Sequence, residues 1–478
     1  MSKYYPTIGI EMHCEGSETK SKVFSPAKNE YSSIPNENVV AIDMGFPGIL
    51  PVVNKKAVEM SIMMSSILHC RIPEYLYFER KNYYYPDLPK GYQITQNPPE
   101  DCIGNEGYID IEREDGSVFR VEIDNFHLEE DTARSTHSGD STTLNYNRAC
   151  APLFELVTKP CMHSADDVVL FLEYIRMIYQ YCGISEADVQ KGQIRCDVNV
   201  SISESKDVLG TKVEMKNVNS ISNVRDAIIY EIDRQLNLME TGRYDEVVQE
   251  TRRWDEDSAK SFSMRSKEDA LDYRYFVDPN IPKYKIDKEW VKKIQELIPE
   301  LPYERKEKYV TELGLTDKDA KKLIKNKKIS DYFEECIKLK INPKDASNWI
   351  NENIVSYMNK NNIEIDEIYL TPEMLKFILN GIKDGIISSK QAKEILIKVL
   401  DEKVDPSKLI NKENAQISDE EELEKIIDTI IDMNPNQVNQ YRNGKDRLFE
   451  FFVGQVMKNT KGKANPIITK ELLHKKLD

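Results

Sequence analysis

Two periodicities divide the chain. Up to about residue 290, short segments alternate apolar and polar positions, the period of half-buried strands; beyond about 291, apolar residues recur at three- and four-residue intervals, the period of helices. In "TIGIEMHCE", Ile8, Ile10 and Met12 fall on one side and Gly9, Glu11 and His13 on the other. "QIRCDVNVSIS" sets Cys196, Val198, Val200 and Ile202 against Arg195, Asp197, Asn199 and Ser201. "GTKVEMKNVN" opposes Val213 and Met215 to Lys212, Glu214 and Lys216, and "FRVEID" opposes Val121 and Ile123 to Glu122 and Asp124. The helical segments include "KEWVKKIQELI", "DKDAKKLIKNKKISDYFEECIKL" and "TPEMLKFILNGIKDGI", with Pro, Asp or Thr near their starts. A polar stretch near 401 to 418 reads as a linker. The pattern predicts an α+β chain: an antiparallel-sheet domain over 1–290, an all-helical domain over 291–405 and a small helical tail over 406–478.

Length and composition fit this division. A chain of 478 residues exceeds one ordinary core, and 40% hydrophobic with 31% charged residues indicates a folded protein. The longest apolar stretch, "VVAIDMGFPGILPVV", is broken by Asp43, two glycines and two prolines, so no membrane span is expected; a cytoplasmic location is. The eight cysteines form no C-x-x-C pair, which disfavours a zinc ribbon or a dithiol centre. A net charge of −16 argues against indiscriminate coating of nucleic acid. The exception is local: residues 441–478 hold nine Lys/Arg against four Asp/Glu, interleaved with Tyr441, Phe449, Phe451 and Phe452. That tail reads either as a solvated basic helix face or as a phosphate-contacting module.

The polar strand faces carry the candidate chemistry. A sheet with one wet face alternates without any function. These faces, however, bear Glu with His, Asp with Asn, and Glu between lysines, and "FHLEEDTARSTH" adds Glu129, Glu130 and Asp131 in succession. Hard carboxylate oxygens beside Lys and Arg are what a magnesium–phosphate site needs. No G-x-x-x-x-G-K-[ST], G-x-G-x-x-G, H-E-x-x-H or G-x-S-x-G occurs, which leaves a metal-based ATP site on a sheet. Taken alone, the residues point to a metal-dependent phosphoryl-transfer enzyme that touches nucleic acid through its C-terminus.

The motifs "IGIEMHCEGSETKSKVFSP", "GFPGILPVVNKKAVE", "RKNYYYPDLPKGYQITQ", "HLEED", "NRACAPLFELVTKP", "IRCDVNVS", "GTKVEMKNVNSISNVRDAI", "QETRRWDE", "MRSKEDALDYRYF" and "GQVMKNTKGKANP" resemble, in order and over essentially the whole chain, the B subunits of tRNA-dependent amidotransferases. The resemblance implies a cradle domain related to glutamine synthetase, a helical domain and a tail that contacts tRNA. It implies ATP-driven phosphorylation of the side-chain carboxylate of mischarged Asp-tRNA(Asn) or Glu-tRNA(Gln), followed by displacement with ammonia from a glutaminase A subunit, in a complex completed by a small C subunit. By the same resemblance, Glu11, His13, Glu129, Glu130, Asp197 and Glu214 surround Mg²⁺, with Asn199 beside the nucleotide. Arg148, Arg195, Lys212 and Lys216 lie near phosphates, Lys81, Tyr83, Tyr85, Asp87 and Lys90 line the ammonia route, and Lys458, Lys461 and Lys463 contact tRNA.

The chain also departs from the family pattern. Asn125 stands for Arg, Ala133 for Gly, Arg134 for Lys, Asn145 for Asp and Cys150 for Gly, while Gln190 and Lys191 replace acidic residues. Losing acids and gaining a lysine makes the surroundings more positive, and a side chain at a glycine position can forbid a positive φ. The stretches "KVFSP" and "AIDMGFP", where many relatives carry a cysteine zinc knuckle, contain no cysteine, so no zinc is expected. These departures keep a second reading open, a non-catalytic paralogue that binds tRNA or a partner.

Overall fold

Eight strands scattered over the first 266 residues gather into one sheet; six of them carry apolar residues on a buried side, while in the edge strand that ends at residue 266 Phe262 and Met264 are exposed. The computed structural model describes residues 4–97, 101–188, 191–266, 272–410, 420–460 and 464–477. The strands are β1 (Tyr5–Glu15), β2 (Gly104–Glu112), β3 (Val118–Glu130), β4 (Pro152–Thr158), β5 (Ile194–Ser203), β6 (Val213–Val218), β7 (Glu250–Asp255) and β8 (Lys260–Ser266). Their order is β8-β7-β6-β5-β1-β4-β3-β2, which puts β1 inside the sheet with a partner on each side. The expectation of a purely antiparallel sheet fails at one pair. β6 and β7 run parallel, because the helix between them carries the chain back to the starting edge before it pairs again.

Helices α1 (Lys55–Ile67), α2 (Ala165–Tyr181) and α3 (Ile221–Glu240) pack against this sheet. Each starts where a side chain satisfies free backbone N–H groups: Asn54 caps α1, Ser164 caps α2 and Ser220 caps α3. Ile8, Ile10, Met12, Val198, Val200, Val213 and Met215 lie on the covered face and are essentially solvent-free. Each such side chain stabilises the fold by roughly 1.5–3 kcal/mol relative to exposure. Phe154 links the layers, stacking on Phe126 at 6.1 Å and on Tyr179 of α2 at 6.3 Å.

A bulge in β3 decides which of its side chains face the site. Ile123 pairs with Thr158, yet Asn125 pairs with Val157, so two steps along β3 match one along β4. Side-chain direction has period two, so the extra residue, Asp124, reverses the alternation. Val121 and Ile123 therefore share the apolar face with Phe126 and Leu128, while Asn125, His127 and Glu129 turn to the polar one. Continued without interruption, the "FRVEID" alternation would have put Glu129 on the apolar side.

The chain divides into two compact units, Met1–Leu301 and Pro302–Asp478. The first includes α4 (Lys288–Gln295), whose Trp290 indole donates to Glu59 of α1 at 3.4 Å. The second is helical and contains two separate cores. One, centred on Tyr309, Phe333, Leu375, Ile378, Leu396 and Val399, extends to Ile410. The other joins the helices Glu420–Met433, Pro435–Arg442, Leu448–Asn459 and Pro466–Leu477 around Leu423, Ile427, Phe452, Val456 and Leu473. Much of the linker read near 401–418 lies outside the described residues. No helix among the described residues is long and apolar enough to cross a membrane.

Truncating Phe154 to Ala removes the ring between sheet and α2, with an expected cost of about 3–5 kcal/mol. Leu209→Ala, at a side chain 60% exposed, is expected to change stability by less than about 0.5 kcal/mol. Denaturant midpoints of the two variants measure the contrast.

Candidate active site

Adjacent strands set the polar residues of this face side by side. In the β1–β5 ladder Glu11 lies opposite Asp197, His13 opposite Arg195 and Gly9 opposite Asn199. On the other side of β1, His13 lies opposite Glu155 of β4, which in turn lies opposite His127 of β3. A row His127–Glu155–His13–Arg195 thus crosses four strands. Both imidazoles reach the same carboxylate oxygen, with His13 Nε2 and His127 Nε2 each 3.1 Å from Glu155 Oε2. Glu129 completes the cluster, 3.7 Å from His13 Nε2 and 3.8 Å from His127 Nε2, and accepts from Thr95 Oγ1 at 2.9 Å.

The charges of this corner are interdependent. Burial pulls the His13 imidazole down, but Glu155, Glu129 and Glu11 more than reverse this and hold it at about 9. Burial would raise the Glu155 carboxyl, yet His127 and His13 drive it well below the ordinary carboxylate range. Glu11 goes the other way: burial, then the charge of Glu155, raises it. The charges of His13 and Lys216 offset only part of this rise.

Among the described residues, two groups have donor atoms close enough to share one cation, Glu11 with His13 and Glu155, and His127 with Glu129 and Glu155. Glu11, Glu129 and Glu155 supply hard oxygens that suit Mg²⁺. His127 Nδ1 lies 3.0 Å from Asn125 Oδ1, a contact that orients the ring with its Nε2 toward Glu155 and Glu129. Asp197 and Glu214 belong to neither group. Lys216 Nζ is 2.5 Å from Asp197 and 3.6 Å from Glu214, and Thr251 donates to Glu214 at 2.7 Å. The five acids and one histidine expected around one ion are therefore split: Glu11, His13 and Glu129 gather in the corner, Asp197 and Glu214 meet at Lys216, and Glu130 stands apart from both. Asn199, opposite Gly9 on one side and Glu214 on the other, keeps a buried Oδ1 with no hydrogen-bond partner among the described residues.

Glu130 turns away from the corner. Lys90 Nζ lies 2.5 Å from both its carboxylate oxygens, and the Ile94 N–H donates to it at 2.8 Å. The next residue, Asp131, binds Arg148 at 2.6 Å and Arg195 at 3.0 Å, and Arg148 also reaches Glu15 at 3.2 Å. Lys212 is exposed just ahead of β6. Of the tyrosine motif, Lys81 stands over the Tyr273 ring at 5.0 Å, and Tyr83 donates to Gln93 at 3.4 Å and packs edge-on against Tyr85 at 5.9 Å. Asp87 accepts from the Ala133 N–H at 3.0 Å through its backbone carbonyl. Burial lowers Lys81, but Glu129 heads the charges that leave it raised, so this motif adjoins the acidic corner electrostatically.

The departures in sequence have structural expression too. Cys150 is buried at φ +67°, the left-handed region that glycine adopts at least cost. Lys22 and Asp43, from the two stretches lacking zinc-knuckle cysteines, form a fully buried pair at 3.2 Å. Arg134 is exposed, Asn145 ends a surface hairpin, and Lys191 pairs with Glu186 at 2.7 Å. Gln190, Lys461 and Lys463 lie outside the described residues. Lys458 is exposed on Leu448–Asn459. The tail aromatics are not a ring-stacking surface: Phe452 is fully buried, and Tyr441, Phe449 and Phe451 pack against the same core.

Two family models match the chain, one described as the GatB/GatE catalytic domain over residues 6–292 and one as the GatB domain over residues 331–477. The chain belongs to the GatB/GatE family. It is 43% identical to a protein of Coxiella burnetii, with 99% of this chain and all of the relative covered. It is 42% identical to a protein of Persephonella marina and 41% to one of Limosilactobacillus fermentum, at similar coverage. All three are named as the B subunit of an aspartyl/glutamyl-tRNA(Asn/Gln) amidotransferase. Membership in the GatB/GatE family is thus supported from one end of the chain to the other.

Sequence reasoning missed Glu155, His127, Glu15 and Asn125 as members of the site. Glu155 had a readable signal, a lone acid amid the apolar "PLFELVT". In the metal-free chain, His13 is expected to contribute stability in full below about pH 6.5 and to lose it as pH rises through about 9, because its folded value is raised. The difference in unfolding free energy between wild type and His13→Gln should shrink from pH 7 to pH 10. A difference that grows over that interval refutes the charge assignment.

Proposed function

We propose that this chain is the subunit that uses ATP to activate the side-chain carboxylate of mischarged Asp-tRNA(Asn) or Glu-tRNA(Gln) for amidation with glutamine-derived ammonia. The observation that carries the reading is the convergence of Glu11, His13, Glu129 and Glu155 from three strands on one polar sheet face, in a chain whose full-length relatives bear the amidotransferase name. A carboxylate does not expel oxide, so amide formation at neutral pH requires conversion to a better leaving group. Phosphoryl transfer from ATP gives an acyl phosphate, and ammonia then displaces phosphate.

The chain's residues divide this work. Glu11, Glu129 and Glu155 would hold Mg²⁺, which when bound screens the charge between nucleotide phosphates and the incoming carboxylate. His13 and His127 fix the Glu155 carboxylate and offset its charge. Lys216, held by Asp197, and the exposed Arg195 supply cations for phosphate oxygens on the same face. Asn199, with its unpartnered buried oxygen, is a further polar contact for the nucleotide. The sheet face backed by α2 and α3 is consistent with a cradle of the glutamine synthetase type. Lys81, Tyr83 and Lys90, grouped beside Glu129 and Glu130, suit a polar route for ammonia from a glutaminase A subunit, with a small C subunit completing the assembly. We assign tRNA contact to the tail through Lys458, Lys461 and Lys463, and a cytoplasmic setting without zinc.

In the reconstituted complex with mischarged tRNA, Glu11→Gln and Glu129→Gln are each expected to lower ATP consumption at least a hundredfold. ATP turnover that survives both changes would falsify the catalytic reading and favour the non-catalytic paralogue. For the tail, replacing Lys458, Lys461 and Lys463 with Ala should weaken tRNA binding and reduce the slope of log affinity against log salt by about two to three. An unchanged slope excludes phosphate contact there.

A further inference from the structure

Asp131 is a buried acid that neither triad of possible metal ligands includes. It is only 5% exposed. Its N–H donates to the Ala151 carbonyl and its own carbonyl accepts from Cys150, both at 2.9 Å, so the backbone is pinned on both sides. Its carboxylate meets two cations: Arg148 Nη2 donates to Oδ2 at 2.6 Å, and Arg195 Nη2 donates to Oδ1 at 3.0 Å and to Oδ2 at 3.1 Å. The two arginines come from different parts of the chain, Arg148 from the turn before β4 and Arg195 from β5. One buried acid sets the spacing of both.

We propose that Asp131 is a positioning residue that holds Arg148 and Arg195 side by side as a two-pronged receptor for an oxyanion of the reaction, either the substrate side-chain carboxylate or a nucleotide phosphate. The inference rests on the functional reading above and goes beyond it in naming what organises the anion contacts. A guanidinium carries five N–H donors in a planar fork. Asp131 takes only the Nη2 end of each. Arg195 lies opposite His13 in the ladder, next to the acidic corner, and its side chain is 52% exposed. Arg148 also lines a polar cavity of about 410 Å³, whose wall includes Glu15, Glu18, Glu186, Arg134 and Lys191 but not Arg195. Its Nε–H is buried without an acceptor among the described residues. Paired guanidiniums recognise carboxylate and phosphate through parallel charge-assisted hydrogen bonds, and a fixed separation makes that recognition selective. Without Asp131, two like charges would repel and lose their shared register. The clamp also gives the third acid of "EED" a task distinct from those of Glu129 and Glu130.

The test has a binding arm and a kinetic arm. Inorganic phosphate is titrated by calorimetry into the full chain as wild type, Asp131→Asn and Arg195→Gln. The expected result is binding by wild type and at least fivefold weaker binding by both variants; Arg195→Gln, at an exposed side chain, keeps the test open if Asp131→Asn does not fold. Equal affinity in all folded forms, or no binding by wild type, overturns the clamp. In the assembled complex, KM for ATP and KM for mischarged tRNA are then measured separately. A tenfold rise in the first with kcat within threefold identifies the phosphate as the anion held, and the same rise in the second identifies the carboxylate. Loss of kcat with both KM values unchanged overturns the positioning role. A wild-type complex that consumes no ATP overturns the functional reading instead, and the phosphate titration still decides the clamp.

Discussion

Three consecutive buried carboxylates can coexist only if each finds its own cation, and that requirement organises the first unit. Taking a charge out of water costs several kcal/mol unless a partner offsets it. Glu129 faces His13 and His127, Glu130 binds Lys90, and Asp131 binds Arg148 and Arg195. The partners come from β1, β3, β5 and the loops before β4 and after Glu79–Asn82. Neutralising one tripeptide therefore ties together segments from across the first 200 residues. The same pairs leave Glu11, whose charge is only partly compensated, at the edge of the cluster.

The backbone makes this separation possible. Adjacent strand residues point to opposite sides, which parts Glu129 from Glu130, and Asp131 lies just beyond the strand end. The bulge at Asp124 sets the phase, so that His127 and Glu129, rather than Phe126 and Leu128, reach the polar face. A hydrophobic layer under α2 and α3 holds the strands in register. Because the register aligns His127, Glu155 and His13 across the sheet, packing on one face dictates electrostatics on the other.

The tail follows a different economy of charge. Several of its cations serve the fold: Arg442 donates to the carbonyls of Lys476 and Leu477, Lys470 pairs with Glu450, and Lys476 pairs with Asp428. Its aromatic residues fill a core. What remains for a nucleic-acid partner is a smaller set of exposed lysines than the net charge of the segment suggests.

Much of this architecture was legible in the order of residues. Period-two segments marked β1, β5 and β6, helical spacing marked the second unit, and the grouping of Glu11, His13 and Glu129 followed from residue type and resemblance. Local periodicity reports which side chains share a face, because that depends only on backbone geometry. Partnership across the sheet depends on register, bulges and crossovers, which no local pattern encodes. Hence Glu155, set between two histidines by strand pairing, the separation of Asp197 and Glu214 from the acidic corner by Lys216, the parallel β6–β7 pair and the distinct fates of Glu129, Glu130 and Asp131 emerged only from the tertiary structure. Sequence determined which charges the chain carries, and three-dimensional packing decided which of them meet, since Coulomb attraction acts through space and not along the chain.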